Sequence, residues 1–204
     1  MKKKRIAFIL LALSTAILGI TSPSPALFDR NQEDARSTLK GLKGIGVIVS
    51  FETEEMRGLK KIGLTEEVIQ ADVELQMKNA GINVTSRKED LKAVPGFPQL
   101  VIQIVGYSTL TKGDKAKGIA FFIQTELNQR ILLVRNPDIN ALAGTWSSSV
   151  FGLGYTDEGI ATDIRNGVKD CVDTFIKAYS SVNPKREGKT DEESQGEALI
   201  YHNG

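Results

Sequence analysis

An α/β (α+β) domain is the fold class this sequence predicts: a single mixed, mainly antiparallel sheet of about five strands with two long helices on one face, in the order β-α-β-β-β-β-α. Three observations predict it. From Ile119 to Asn136, Ile119, Phe121, Ile123, Leu127, Ile131 and Leu133 hold odd positions while Gln124, Glu126, Asn128 and Arg130 hold even ones, the period of a strand with one buried face. Residues 65–80 and 157–179 instead repeat apolar residues at helical spacing. Strand-like runs flank the first of these helices and favour a parallel pair with a crossover, whereas the later runs are separated by short polar turns and favour a meander.

Taken in order, the chain opens on an address. Lys2, Lys3, Lys4 and Arg5 precede an apolar run from Ile6 to Ile20 and then Ser22-Pro-Ser-Pro-Ala26, the three parts of a secretory signal with cleavage expected after Ala26. The run is short for a membrane span and ends in prolines, so no stable membrane anchor is expected after cleavage. Removing residues 1–26 takes away four basic residues and no acidic ones, leaving 22 basic against 25 acidic and moving the formal net charge from +1 to −3. That near balance excludes the basic surface that nucleic-acid binding requires. Cys171 is the only cysteine, so neither an internal disulfide nor a lipid-accepting cysteine after the apolar run is available. It lies among Val168, Val172 and Phe175 at helical spacing, as a buried and inert thiol would.

Residues 27–43 form a polar amino-terminal segment in which Asp29 to Leu39 predicts a short, weakly docked helix. The domain proper covers 44–183. Ile45, Val47, Val49 and Phe51 make the first strand, rich in β-branched residues. A charged loop from Glu52 to Gly63 follows. Thr65 then caps a helix with Glu66 and Glu67 at its positive end, Ile69, Val73, Met77 and Ala80 as its apolar positions and Gly81 as its stop. Ile82 and Val84 begin a second short strand. Arg87 to Pro98 reads as a loop, and Leu100 to Tyr107 is apolar on both faces, as a central strand would be.

The polar turn Thr111 to Gly118 leads into the long strand. Its parity never breaks, so it is one continuous strand rather than a hairpin at Asn128-Gln129; at about 3.3 Å per residue it spans roughly 55 Å and must twist or bulge, with Asn128 to Arg130 as the expected place. Asn136-Pro-Asp138 is the next turn. In the last strand Leu142, Trp146 and Val150 are expected on one face, with Ala143, Thr145, Ser147 and Ser149 on the other. Asp157 to Tyr179 is the second long helix, with Ile160, Ile164, Val168, Cys171, Val172, Phe175 and Tyr179 as its stripe, ended by Asn183-Pro184. Residues 184–204 are charged and poor in apolar residues, a disordered tail by composition.

The chemistry is mostly excluded. The one histidine, His202, lies in that tail, which disfavours histidine-activated nucleophiles and histidine zinc sites. Gly41-Leu-Lys-Gly44-Ile-Gly46 precedes a strand and lacks the dinucleotide order, and Gly144-Thr-Trp-Ser147-Ser148 lacks the second glycine and the helix of a nucleophile elbow. Glu52, Glu54 and Glu55 read as a solvated loop, Asp157 and Glu158 as a helix start, and Lys112, Lys115 and Lys117 as a basic turn. No enzyme activity, metal or cofactor is called for.

The long strand ending at Arg135-Asn136, the Gly144-Thr-Trp-Ser147 strand and the closing Phe175-Ile-Lys-Ala-Tyr179 through Asn183-Pro184 resemble a family of uncharacterised exported bacterial α/β proteins over about Leu39 to Pro184. More remotely, the element order is similar to the amino-terminal domain of the Tol–Pal β-propeller protein and to the lipoprotein activators of penicillin-binding proteins. The chain departs from the activators in lacking a lipidated cysteine. The resemblance implies no catalytic residues, because those envelope domains act by binding partners.

The expected function is therefore that of a periplasmic or secreted adaptor binding an envelope protein, or a second copy of itself, through the polar face of the sheet or its edge. Phe122, Glu126 and Arg130 are the candidate contacts on that face. The alternative is a small-ligand or glycan carrier with a pocket beneath Trp146 and Tyr155.

Overall fold

The computed structural model describes residues 32–110 and 117–184. The signal segment, the lysines Lys112 and Lys115 of the basic turn, and the tail with His202 lie outside the described residues. The chain divides into two compact units, Met1–Glu33 and Asp34–Gly204. The described residues of the first are the two that open α1 (Gln32–Ser37).

Four strands form one sheet in the order β1-β2-β3-β4: β1 (Gly46–Phe51), β2 (Gln99–Leu110), β3 (Lys117–Leu133) and β4 (Asn136–Gly154). β1 runs parallel to β2, and β2–β3 and β3–β4 are antiparallel. The sheet is mixed and mainly antiparallel, as expected, but it has four strands rather than five. Ile82 and Val84 do not make a strand: Val84 forms one parallel bridge to Ile45, and the first strand finds its parallel partner in β2 instead.

Two long helices cover one face. α3 (Glu66–Asn79) starts at Thr65, whose Oγ1 accepts from the Val68 N–H, and stops before Gly81 at φ +82°. α5 (Asp157–Val182) starts at Thr156, whose Oγ1 accepts from the Gly159 N–H at 3.1 Å. The helices touch where Gln76 Nε2 donates to Asp173 Oδ1 at 2.7 Å. Between them and the sheet lies the core, with Ile69, Met77, Leu100, Ile102, Ile104, Ile123, Leu127, Ile164, Val172 and Phe175 all buried.

Both stretches read as loops contain helical turns, because each carries apolar residues that need burial. Residues 52–63 hold α2 (Glu54–Gly58) and a 3₁₀ turn (Leu59–Ile62), which bury Met56 and Leu59. Residues 87–98 hold α4 (Lys88–Lys92), whose Leu91 is buried against Gly46. The amino-terminal segment is anchored more firmly than its polarity predicts. Leu39 is fully buried, and Asn183 joins it to the end of α5, donating through Nδ2 to the Leu39 carbonyl at 2.9 Å and accepting through Oδ1 from the Gly41 N–H at 2.7 Å.

β3 is a single continuous strand of 17 residues. The turn after it falls at Val134-Arg135, so Asn136 to Asp138 already belong to β4. The expected irregularity is present, but the extra residue is in the neighbour: Leu127 pairs with Trp146 and Asn128 with Gly144, leaving Thr145 as a bulge. The bulge reverses the alternation of β4. Leu142 therefore faces the same side as its partner Arg130, opposite to Trp146, which corrects the expected shared face of Leu142 and Trp146.

Candidate functional site: the open sheet face

With α3 and α5 on one face, the even positions of β3 point to the other. Register places the residues of that open face in rows across β2, β3 and β4: Tyr107–Ala120–Leu153, Val105–Phe122–Phe151, Gln103–Gln124–Ser149 and Val101–Glu126–Ser147. Beyond the reach of β2 come Arg130–Leu142 and Leu132–Asn140. The first two rows form an apolar end in which Phe151 is 71%, Tyr107 63%, Leu153 43% and Phe122 39% exposed. The next two rows are polar or small apart from Val101.

Phe122, Glu126 and Arg130 share this face, yet they lie in a line rather than a cluster. Four residues of strand separate each from the next, about 13 Å at the usual rise. Phe122 belongs to the apolar end. The Glu126 carboxylate lies over Gly144, so that a β-carbon at 144 would collide with it; glycine at this position leaves the acid its niche. Arg130 is exposed, and its backbone N–H donates to the Gly96 carbonyl at 2.7 Å.

Trp146 does not belong to this face. It is only 7% exposed and meets Phe175 of α5 edge-on, with ring centroids 5.1 Å apart. Tyr155 is exposed at the end of β4. The grooves on the helical side, lined by Ile69, Asp72, Gln76 and Arg165 and by Ile62, Leu64 and Ala161, include neither Trp146 nor Tyr155. Sequence reasoning missed Tyr107, Phe151 and Leu153 as members of the open face. The alternation of Phe151 and Leu153 with Gly152 and Gly154 carried the signal, but the faces expected for the last strand extend only as far as Val150.

Two ion pairs on the helical side shift the titration of their carboxyls. The Lys60 ammonium, 2.9 Å from Glu66 Oε2, holds the Glu66 carboxyl below its usual range, and Lys169 does the same for Asp173 at 2.9 Å. Burial pushes the Cys171 thiol up, against the smaller opposing effect of the Thr125 and Ser148 hydroxyls. Among the described residues no three histidine, cysteine, aspartate or glutamate side chains converge as a metal site would require.

No family model matches the chain, and no curated protein matches it. Solved structures resemble it remotely. A variant of the PelC dodecamer from Paraburkholderia phytofirmans is 14% identical, with 65% of this chain and 86% of that one covered at a TM-score of 0.36. A protein described as a neuraminyllactose-binding hemagglutinin homolog from Helicobacter pylori is 9% identical, with 78% and 92% covered at 0.37. A minor lipoprotein from Acinetobacter baumannii is 8% identical, with 70% and 93% covered at 0.33. Likeness at this level assigns neither a family nor an activity to this chain. No helix among the described residues is long and apolar enough to cross a membrane.

Proposed function

We propose that this chain is a non-catalytic exported envelope protein, periplasmic or secreted, that acts as a protein-binding adaptor through the open face of its sheet. One observation carries the reading: Tyr107, Phe122, Phe151 and Leu153 are contiguous by register and remain exposed at the end of the face remote from α4, whose Leu91 covers only the Gly46 corner. A contiguous exposed apolar patch bordered by polar rows has the make-up of a protein-binding surface, with aromatic anchors inside a polar rim. Glu126 and Arg130 supply charge along the same face and set the orientation of the partner. The basic, apolar and small-residue pattern of residues 1–26 supports export, and the resemblance to small envelope domains that bind partners agrees with both parts.

The carrier alternative is less favoured, since Trp146 is packed on Phe175 and neither Trp146 nor Tyr155 lines either of the two grooves described above. Crosslinking in the native cell envelope followed by mass spectrometry identifies the partner, and variants then test the face. The double variant F122A/F151A is expected to abolish co-purification of that partner while the circular dichroism spectrum stays unchanged, and R130E to weaken it roughly tenfold. Full retention of the partner by F122A/F151A would remove the face from consideration.

A further inference from the structure

β4 closes one side of the sheet, and an edge strand presents unpaired backbone N–H and C=O groups. Long natural edges are ordinarily blunted by lysine, proline, a bulge or an inward charge. Across its 19 residues β4 carries one charged residue, Asp138, and its devices, Pro137 and the Thr145 bulge, lie no further along than its midpoint. From Trp146 to Gly154 the strand keeps an unbroken register against Leu127 to Ile119 and contains no charge at all. Among the described residues, one hydrogen bond reaches the backbone of β4 from outside the β3–β4 hairpin: Thr38 Oγ1 donates to the Thr145 carbonyl at 3.5 Å, before the uncharged stretch begins.

We propose that residues 146–154 pair antiparallel with the same residues of a second copy of this chain, about a two-fold axis through Val150, joining two sheets into one. This goes beyond face binding, since it uses the edge and leaves the face presented. The register itself argues for a copy as the occupant. Pairing about Val150 sets Ser149 opposite Phe151 and Ser147 opposite Leu153 of the other chain, twice over, and keeps every one of those side chains on the open face. The two Phe151 rings become diagonal neighbours across the axis. The apolar ends of the two faces then touch at the axis through the Phe151 rings, while Tyr107, Phe122 and Leu153 of each copy stay presented. On the helical side the pairing sets Ser148 opposite Gly152, which are small enough for the strands to approach. No charge in the stretch repels its own copy, and Asp138 of each chain lies at the opposite end from its counterpart.

The test is sedimentation velocity over a dilution series of the full chain, expressed with its own amino-terminal segment and purified in the form the cell leaves it. A dimer is expected. The variant S149K/F151K sets lysine opposite lysine at both crossings and is expected to weaken the dimer at least tenfold, whereas S149K/F151E sets lysine opposite glutamate and is expected to keep it. Circular dichroism and the thermal midpoint report whether each variant is folded. A wild-type chain that stays monomeric at every concentration overturns the proposal, as does a dimer indifferent to S149K/F151K. Loss of the dimer in both variants overturns the axis at Val150. F122A leaves the edge untouched, so a partner lost with the dimer retained separates failure of the face from failure of the edge.

Discussion

At the scale of single residues, Thr125 is out of keeping with its surroundings. It is fully buried on the core side of β3, and its Oγ1 alone among the described buried side-chain polar atoms has no hydrogen-bond partner of normal geometry, only the Cys171 thiol beside it. Its odd position puts a polar residue on the apolar face, one that the expected alternation passes over; whether a neighbour would satisfy it is not visible in the sequence. That thiol is a poor partner, because sulfur is both a weak donor and a weak acceptor. A buried hydroxyl without a partner costs on the order of 1–3 kcal/mol, and valine has nearly the same shape. Thr125→Val is therefore expected to stabilise the protein by about 1 kcal/mol, read as a higher urea midpoint at constant slope. A loss of stability would mean that the hydroxyl is satisfied after all.

At the scale of elements, the helices were the most legible part, because their stripes and their caps point the same way. The Thr65 cap, the acidic first turn and the Gly81 stop of α3 were all readable, and Thr65→Ala is expected to cost about 1 kcal/mol in chemical denaturation. The tertiary role of the acidic turn was not readable. Glu66 reaches back to Lys60 in the 3₁₀ turn and accepts from the Phe51 N–H at 3.4 Å, tying α3 to the end of β1. Its carboxyl is held below the usual range, first by the Lys60 hydrogen bond. A carboxyl whose folded pKa is depressed stabilises the fold above its unfolded pKa and loses that contribution as pH falls through the folded value. Wild-type stability should thus decline on acidification below the ordinary glutamate range, and Glu66→Gln should flatten that decline. Parallel urea titrations across acid pH measure both, and identical pH profiles would rule out the tie. The short helices α2 and α4 were missed because Met56, Leu59 and Leu91 stand singly among charges, too few to set a period.

At the scale of the domain, the parity of β3 was enough to find its one continuous strand and its two faces. It could not show where neighbouring strands stop, since register is a property of pairs. The Thr145 bulge illustrates the limit: one extra residue in β4 turned Leu142 outward, and no period within a single strand reveals that. The same register sets a gradient of stability. β2 pairs with β3 from Leu110–Lys117 to Gln99–Asn128 and no further, so residues past Arg130 form a two-stranded ribbon with Leu132, Val134, Ile139 and Leu142 exposed. An isolated ribbon is only marginally stable, whereas the middle of β3 is flanked by β2 and β4 and covered by α5. In amide hydrogen exchange, Ile102, Ile104, Ile123 and Thr125 should be the slowest to exchange, at the global unfolding limit, and residues 131–142 should exchange orders of magnitude faster. The uncharged half of β4 lies between these extremes, and pairing with a second copy would make its protection rise with protein concentration while the ribbon's does not. Uniform protection along β4 at every dilution would contradict both the projecting ribbon and the paired edge.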